Sequence, residues 1–200
     1  MSKVIDTLCR EHESMQSVLD ALEREIVALV QIKQPLREEF ALLWSAIDYF
    51  TEFPDRVHHP KEDLVFEQLR RVDPAAALSV GDLVGSHVAL NEELSTLGRE
   101  LKAVTEDNNL PRTELLNRAR AFIEHQRLHL VMEEARFFPA AERVLNQDAW
   151  AKLEAEMTAR FDPLIGGRSA ERFEALRRHI RDREADLHPV PAFDHSLPHR

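Results

Sequence analysis

The stretch His58-His59-Pro60-Lys61-Glu62-Asp63 recurs in outline at His129-Leu130-Val131-Met132-Glu133-Glu134, each with a histidine followed four residues later by a glutamate. On an α-helix, residues four apart lie one turn apart on the same face, so each pair presents an imidazole and a carboxylate to one point. Taken singly, such a pair is an ordinary solvated ion pair of modest value. Two further histidines, His12 and His87, change that reading. From His12 to His87 is 75 residues, and from His58 to His129 and from Glu62 to Glu133 it is 71. The chain therefore divides into two helical hairpins, each giving His from one helix and His-x-x-x-Glu from the next. Brought together with approximate twofold symmetry, they supply four imidazoles and two carboxylates to one centre.

The surrounding sequence supports helices throughout. Residues 4–32 carry Leu8, Met15, Leu19, Leu22, Ile26 and Leu29 at three- and four-residue steps, the spacing of an amphipathic helix. A second helix is expected over about 36–71, with a bend or break near 54–60 because Pro54 and Pro60 lie inside it. Asp73-Pro74 is a start signal for a third helix reaching about Glu106, its opening weakened by Gly81 and Gly85. A fourth is expected over about 112–145. These spans predict an all-α protein: an antiparallel up-down-up-down four-helix bundle with two additional C-terminal helices. The expected division is a bundle over 1–146, a helical extension over 147–186 packed on the bundle or at a dimer interface, and a disordered tail over 187–200.

Composition agrees. Hydrophobic residues make up 44% of the 200, which suits a folded domain, and only 5 are glycine. A net charge of −10 disfavours nucleic acid or an anionic membrane as partner, since both call for a basic face. No apolar run approaches a membrane span, and Met1-Ser2-Lys3-Val4-Ile5-Asp6 lacks the apolar core of a secretion signal. The single cysteine, Cys9, allows neither a disulfide framework nor a thiolate zinc site. The expected compartment is the cytoplasm.

Imidazole and carboxylate without thiolate suit iron, manganese or zinc, and a carboxylate can bridge two cations. The set His12, His58-x-x-x-Glu62, His87, His129-x-x-x-Glu133 resembles the hemerythrin-like, HHE cation-binding family. Glu11-His12, His58-His59-Pro60-Lys61-Glu62 and Met132-Glu133-Glu134 followed by Phe138-Pro139 add to the resemblance, which covers residues 4–145. It implies a non-haem pair of iron ions with an oxo or hydroxo bridge, zinc or manganese being substitutes. It further implies His12 and His58 on one ion, His87 and His129 on the other, and Glu62 and Glu133 as bridges. The implied partner is O₂, NO or peroxide, bound for sensing, scavenging or storage in a stress response, with a homodimer through the C-terminal helices also expected. The alternative is a di-iron enzyme, peroxidase- or oxidase-like or acting in repair of nitrosative or oxidative damage. A ferritin-like carboxylate protein is disfavoured, because its Glu-x-x-His pairs are missing.

One departure stands out. Oxygen-carrying hemerythrins place a second His one turn after the third-helix ligand, where this chain has Asn91, so the half holding His87 and His129 is expected to be the more open. His125, one turn before His129, is either a supporting donor, a fifth imidazole or a partly exposed polar residue. His59 follows His58 by about 100° of helix rotation, so it points away from that ligand and reads as a non-ligand. Cys9 reads as a small buried apolar group, and Glu92, Glu93 and Glu134 as solvated, with Glu134 also able to orient an imidazole.

Overall fold

The structure, a computed structural model, describes residues 2–32, 40–107, 112–157 and Leu176. Ser2 opens the first helix, its Oγ accepting the Ile5 N–H at 3.2 Å, and Asp6 in the first turn suits the positive end of the helix dipole. Helix α1 (Lys3–Gln31) contains neither proline nor glycine and buries Ile5, Leu8, Met15, Leu19, Leu22 and Ile26. His12 occupies the core position between Leu8 and Met15 in that stripe.

Helix α2 (Ala41–Glu52) passes through a π-turn at Pro54–His58 into α3 (His59–Val72). In the wide turn hydrogen bonds reach back five residues: His58 N–H donates to the Phe53 carbonyl at 3.1 Å and His59 N–H to that of Pro54. Pro60 explains it, because proline lacks an N–H and its ring clashes with the carbonyl four residues back. The expected disturbance at 54–60 is thus a bulge within a continuing helix. A second π-turn, Glu133–Phe137, precedes Pro139 and divides the expected fourth helix into α6 (Arg112–Met132) and α7 (Phe138–Val144). The third expected helix is also two. Asp73 Oδ1 accepts from Ala76 N–H at 2.9 Å and starts α4 (Pro74–Val80), which stops at Gly81 with φ +105°, a backbone region costly for any residue with a Cβ. Helix α5 (Leu83–Asp107) follows. Helix α8 (Gln147–Met157) carries Leu153 and Met157 into a cleft against α1 and α3. Of the second C-terminal stretch only Leu176 is described, and it is buried; the tail lies outside the described residues.

Helices α1 and α5 each pack against both α2 and α6, closing a ring, and no strand occurs among the described residues. The apolar interior falls into two clusters. One holds Met15 to Leu29, Leu43 to Phe53, Leu90 to Val104 and Leu115 to Leu130. The other holds Val4 to Leu8, Val65 and Leu69, Leu83, and Phe137 to Ala141 with α8. Along the chain α1 passes from the second cluster to the first, α2–α3 from first to second, α5 back again, and α6–α7 from first to second. At each crossing stands a buried polar residue or pair: His12, His58 with Glu62, His87, and His129 with Glu133. The six residues form one polar layer between two apolar ones.

Candidate metal centre

Such a layer is costly unless its members satisfy one another. The four imidazoles turn their Nε2 atoms inward. His12 Nε2 lies 3.1 Å from His58 Nε2, 3.5 Å from Glu62 and 3.4 Å from Glu133. His58 Nε2 is 3.2 Å from Glu62. His87 Nε2 lies 3.5 Å from Glu62 and 3.3 Å from Glu133, and His129 Nε2 is 2.9 Å from Glu133. Glu62 and Glu133 thus touch imidazoles of both halves, each being fully buried.

The Nδ1 atoms face outward and each has a partner. His12 Nδ1–H donates to Glu134 at 2.9 Å, His58 to Glu11 at 2.8 Å and His87 to Asp63 at 3.1 Å; Ser86 Oγ lies 3.1 Å from His129 Nδ1. An acceptor on Nδ1 fixes the proton there and leaves the Nε2 lone pair directed at the centre. Glu11 is itself held by the ammonium of Lys61, both buried, and Lys61 sits 5.9 Å from the Phe53 ring. The Phe138 ring stacks on His12 at 5.3 Å.

The field is strongly negative at the centre. Burial would lower the basicity of His12, but the hydrogen bond to Glu134 and the neighbouring charges of Glu62 and Glu133 outweigh it and raise its pKa to about 10. His87, likewise opposed by burial, is raised to about 9 by Asp63 and by Glu133 and Glu62. His58 is raised too, against burial, by Glu62 and Glu11. Glu62 is held well below the usual carboxylate range, burial being overcome by His58 and His12. These carboxylates demand positive charge between them.

A metal cation fits that demand better than protons do. Neither Glu62 oxygen has a hydrogen-bond partner among the described residues, nor do Glu133 Oε2 and His129 Nε2, although imidazole nitrogens surround them. Lone pairs converging without hydrogens between them are the donor set of a cation site. One donor atom from each of His12, His58, Glu62 and Glu133 lies within 4.8 Å of the others, and the same holds for His59, Glu62, His87 and His129. Comparison with protein families agrees: the model described as the hemerythrin HHE cation binding domain matches residues 3–141. The chain belongs to this family. No curated protein and no solved structure gives a match.

Members of the hemerythrin HHE family bind metal cations, and the buried His/Glu groups here could hold them. Against that background the residues outside the repeated pattern fall out unevenly. Glu134 does orient an imidazole, that of His12, while its side chain stays 51% exposed. His125 is partly exposed and paired with Glu93 at 3.0 Å, away from the centre. The Asn91 side chain accepts from Ser95 Oγ at 3.4 Å. Cys9 is half-buried against the second apolar cluster, and burial together with Glu134 pushes its thiol up. His59, expected as a non-ligand turned from His58, is turned into the core and not out of it. It is 6% exposed, its ring lies parallel to His87 at 4.1 Å, and burial and the charge of His87 hold it well below its ordinary pKa. A 100° step around α3 leads away from His58's half of the layer into the other half, because the chain is buried on both sides at this level. Lys61 and Glu11 also went unread as site residues; Lys61 adjoins Glu62, but a lone lysine gives no sequence signal of burial.

Proposed function

We propose that the polar layer holds two iron ions as a non-haem centre, with His12 and His58 on one ion, His87 and His129 on the other, and Glu62 and Glu133 bridging them. The observation that carries this reading is the doubled arrangement of each histidine, Nε2 inward among unpartnered carboxylate oxygens and Nδ1 outward on an anchoring acceptor. The alternating passage of the chain between the two apolar clusters supports an antiparallel up-down-up-down bundle over 1–146. A bound iron pair supplies reducing equivalents and a vacant position for O₂, NO or peroxide. The chain's own part is to fix the donors, keep each Nδ1 protonated and exclude bulk water. Leu8, Met15, Val65, Leu90, Leu130 and Phe137, buried on either side of the layer, do the last. We read the protein as a cytoplasmic sensor, scavenger or store for such a small ligand rather than as a transporter of O₂.

Metal analysis and an optical spectrum of protein from iron-replete cells test this. About two iron ions per chain are expected, with the near-ultraviolet absorption of a bridged ferric pair. A single ion, retained unchanged after His87 and His129 are both replaced, would refute the two-ion arrangement.

A further inference from the structure

We infer that His59 is a third imidazole ligand of the half-site formed by His87 and His129, so that the two ions are bound unequally. The inference deepens the iron-pair reading and depends on it. Three observations carry it. His59 is 6% exposed, yet neither ring nitrogen has a partner among the described residues, unlike any other imidazole of the layer. Its ring is stacked on His87 (4.1 Å between centroids, 8° between planes) and stands edge-on to His129 at 5.8 Å. One of its nitrogens lies within 4.8 Å of donor atoms from Glu62, His87 and His129. A buried donor or acceptor left unmade is destabilising, and a packed aromatic at this position would fill the space without that cost. Imidazole is instead the residue a cation would select.

The geometry also explains Asn91. One turn beyond His87, Asn91 brings no imidazole to the layer, and its amide is engaged with Ser95. His59 enters the same half from the neighbouring helix, beside a narrow cleft lined by Phe50, Asn91, Leu94, Phe122 and Gln126. The half-site of His87 and His129 is therefore the closed one. The half-site of His12 and His58, with two imidazoles and two shared carboxylates, is the place left for an external ligand, the reverse of what Asn91 alone suggests.

The full chain, loaded anaerobically with ferrous iron, and its His59→Ala and His59→Phe variants decide this; phenylalanine keeps the ring packing if alanine disturbs folding. X-ray absorption at the iron edge should show five imidazoles per pair falling to four in both variants. Chelator-driven release should be biphasic, with one ion leaving at least tenfold faster in the variants, since even a residue that only supports a ligand is worth about 10–100-fold. The other ion's rate should stay unchanged, and millimolar imidazole should restore the slow phase in His59→Ala alone. Release kinetics and imidazole scattering identical to the unmodified protein in His59→Phe would overturn the assignment while leaving the iron pair intact. An unmodified chain that holds no ion pair overturns both readings.

Discussion

Replacing Lys61 by methionine removes a buried ammonium while keeping the length of the side chain. The Lys61 and Glu11 side chains are 2% and 3% exposed, and Glu11 uses its other oxygen to hold His58 Nδ1 at 2.8 Å. Without Lys61 the Glu11 carboxylate is left buried with one oxygen unmatched. Breaking a buried pair from one side costs about 3–5 kcal/mol. For a chain of this size each kcal/mol lowers Tm by about 2–4 °C, so a fall of roughly 6–20 °C is expected in Lys61→Met. Glu11→Gln in the same chain removes the stranded charge and keeps an acceptor for His58. The double variant should therefore recover at least half of the loss, a coupling visible only in a double-mutant cycle. Thermal unfolding followed by circular dichroism, on the metal-free protein so that metal linkage does not intrude, reads both. A Lys61→Met melt within about 1 °C of the unmodified protein, or a double variant less stable than either single one, would refute the reasoning.

Metal uptake should be pH-dependent. His12 and His87 are raised from 6.5 to about 10 and about 9, so their charged forms stabilise the metal-free fold fully below pH 6.5, and that contribution is lost as pH rises through 9 to 10. Because a metal must displace those protons, apparent affinity should climb about tenfold per pH unit for each proton released, and competition with a chromophoric chelator at pH 7 and 9 measures it. An affinity flat across that range would contradict the electrostatics. Glu134→Gln weakens the anchor of a single imidazole, His12, and should speed release of one ion only, toward the lower end of about 10–100-fold because the carboxylate is half exposed. Gly81→Ala meets no atom within 4 Å, so its cost is backbone strain alone, about 1–3 kcal/mol by denaturant melt, with metal content unchanged. Chelation of the loaded protein should lower its Tm, because metal bound only to the folded state stabilises it by mass action.

The repeated His-x-x-x-Glu and the offsets of 75 and 71 residues made the polar layer legible, since a buried ligand must occupy a core position of its helix and core positions are periodic. The same periodicity concealed the two π-turns. Phe50, Pro54, His58 and Glu62 follow one another at steps of four, as do His129, Glu133, Phe137 and Ala141, all buried. Steps of four in unbroken succession outrun a helix of 3.6 residues per turn, and each run meets a proline, Pro60 or Pro139, that forces the turn open. The combination of that run with a proline is the signal that was available. The burial of His59 was not legible, because helix rotation distinguishes faces but not whether a second face is also buried. Lys61 and Glu11 stayed hidden for another reason: their burial depends on pairing across two helices 50 residues apart, which no local pattern encodes.

The outward partners of the imidazoles set the electroneutrality of the centre. Among the described residues, Glu11, Glu62, Asp63, Glu133 and Glu134 with the cation Lys61 leave four negative charges around the layer. Two divalent cations balance that sum with every imidazole neutral. Adding or withdrawing one electron unbalances it, and in a closed apolar interior an unmatched charge is expensive. In the proposed iron pair, each electron would therefore travel with a proton or an anion. Glu11, locked to Lys61, cannot serve as the exit, whereas Asp63 and Glu134, with side chains 41% and 51% exposed, join the imidazoles of His87 and His12 directly to solvent.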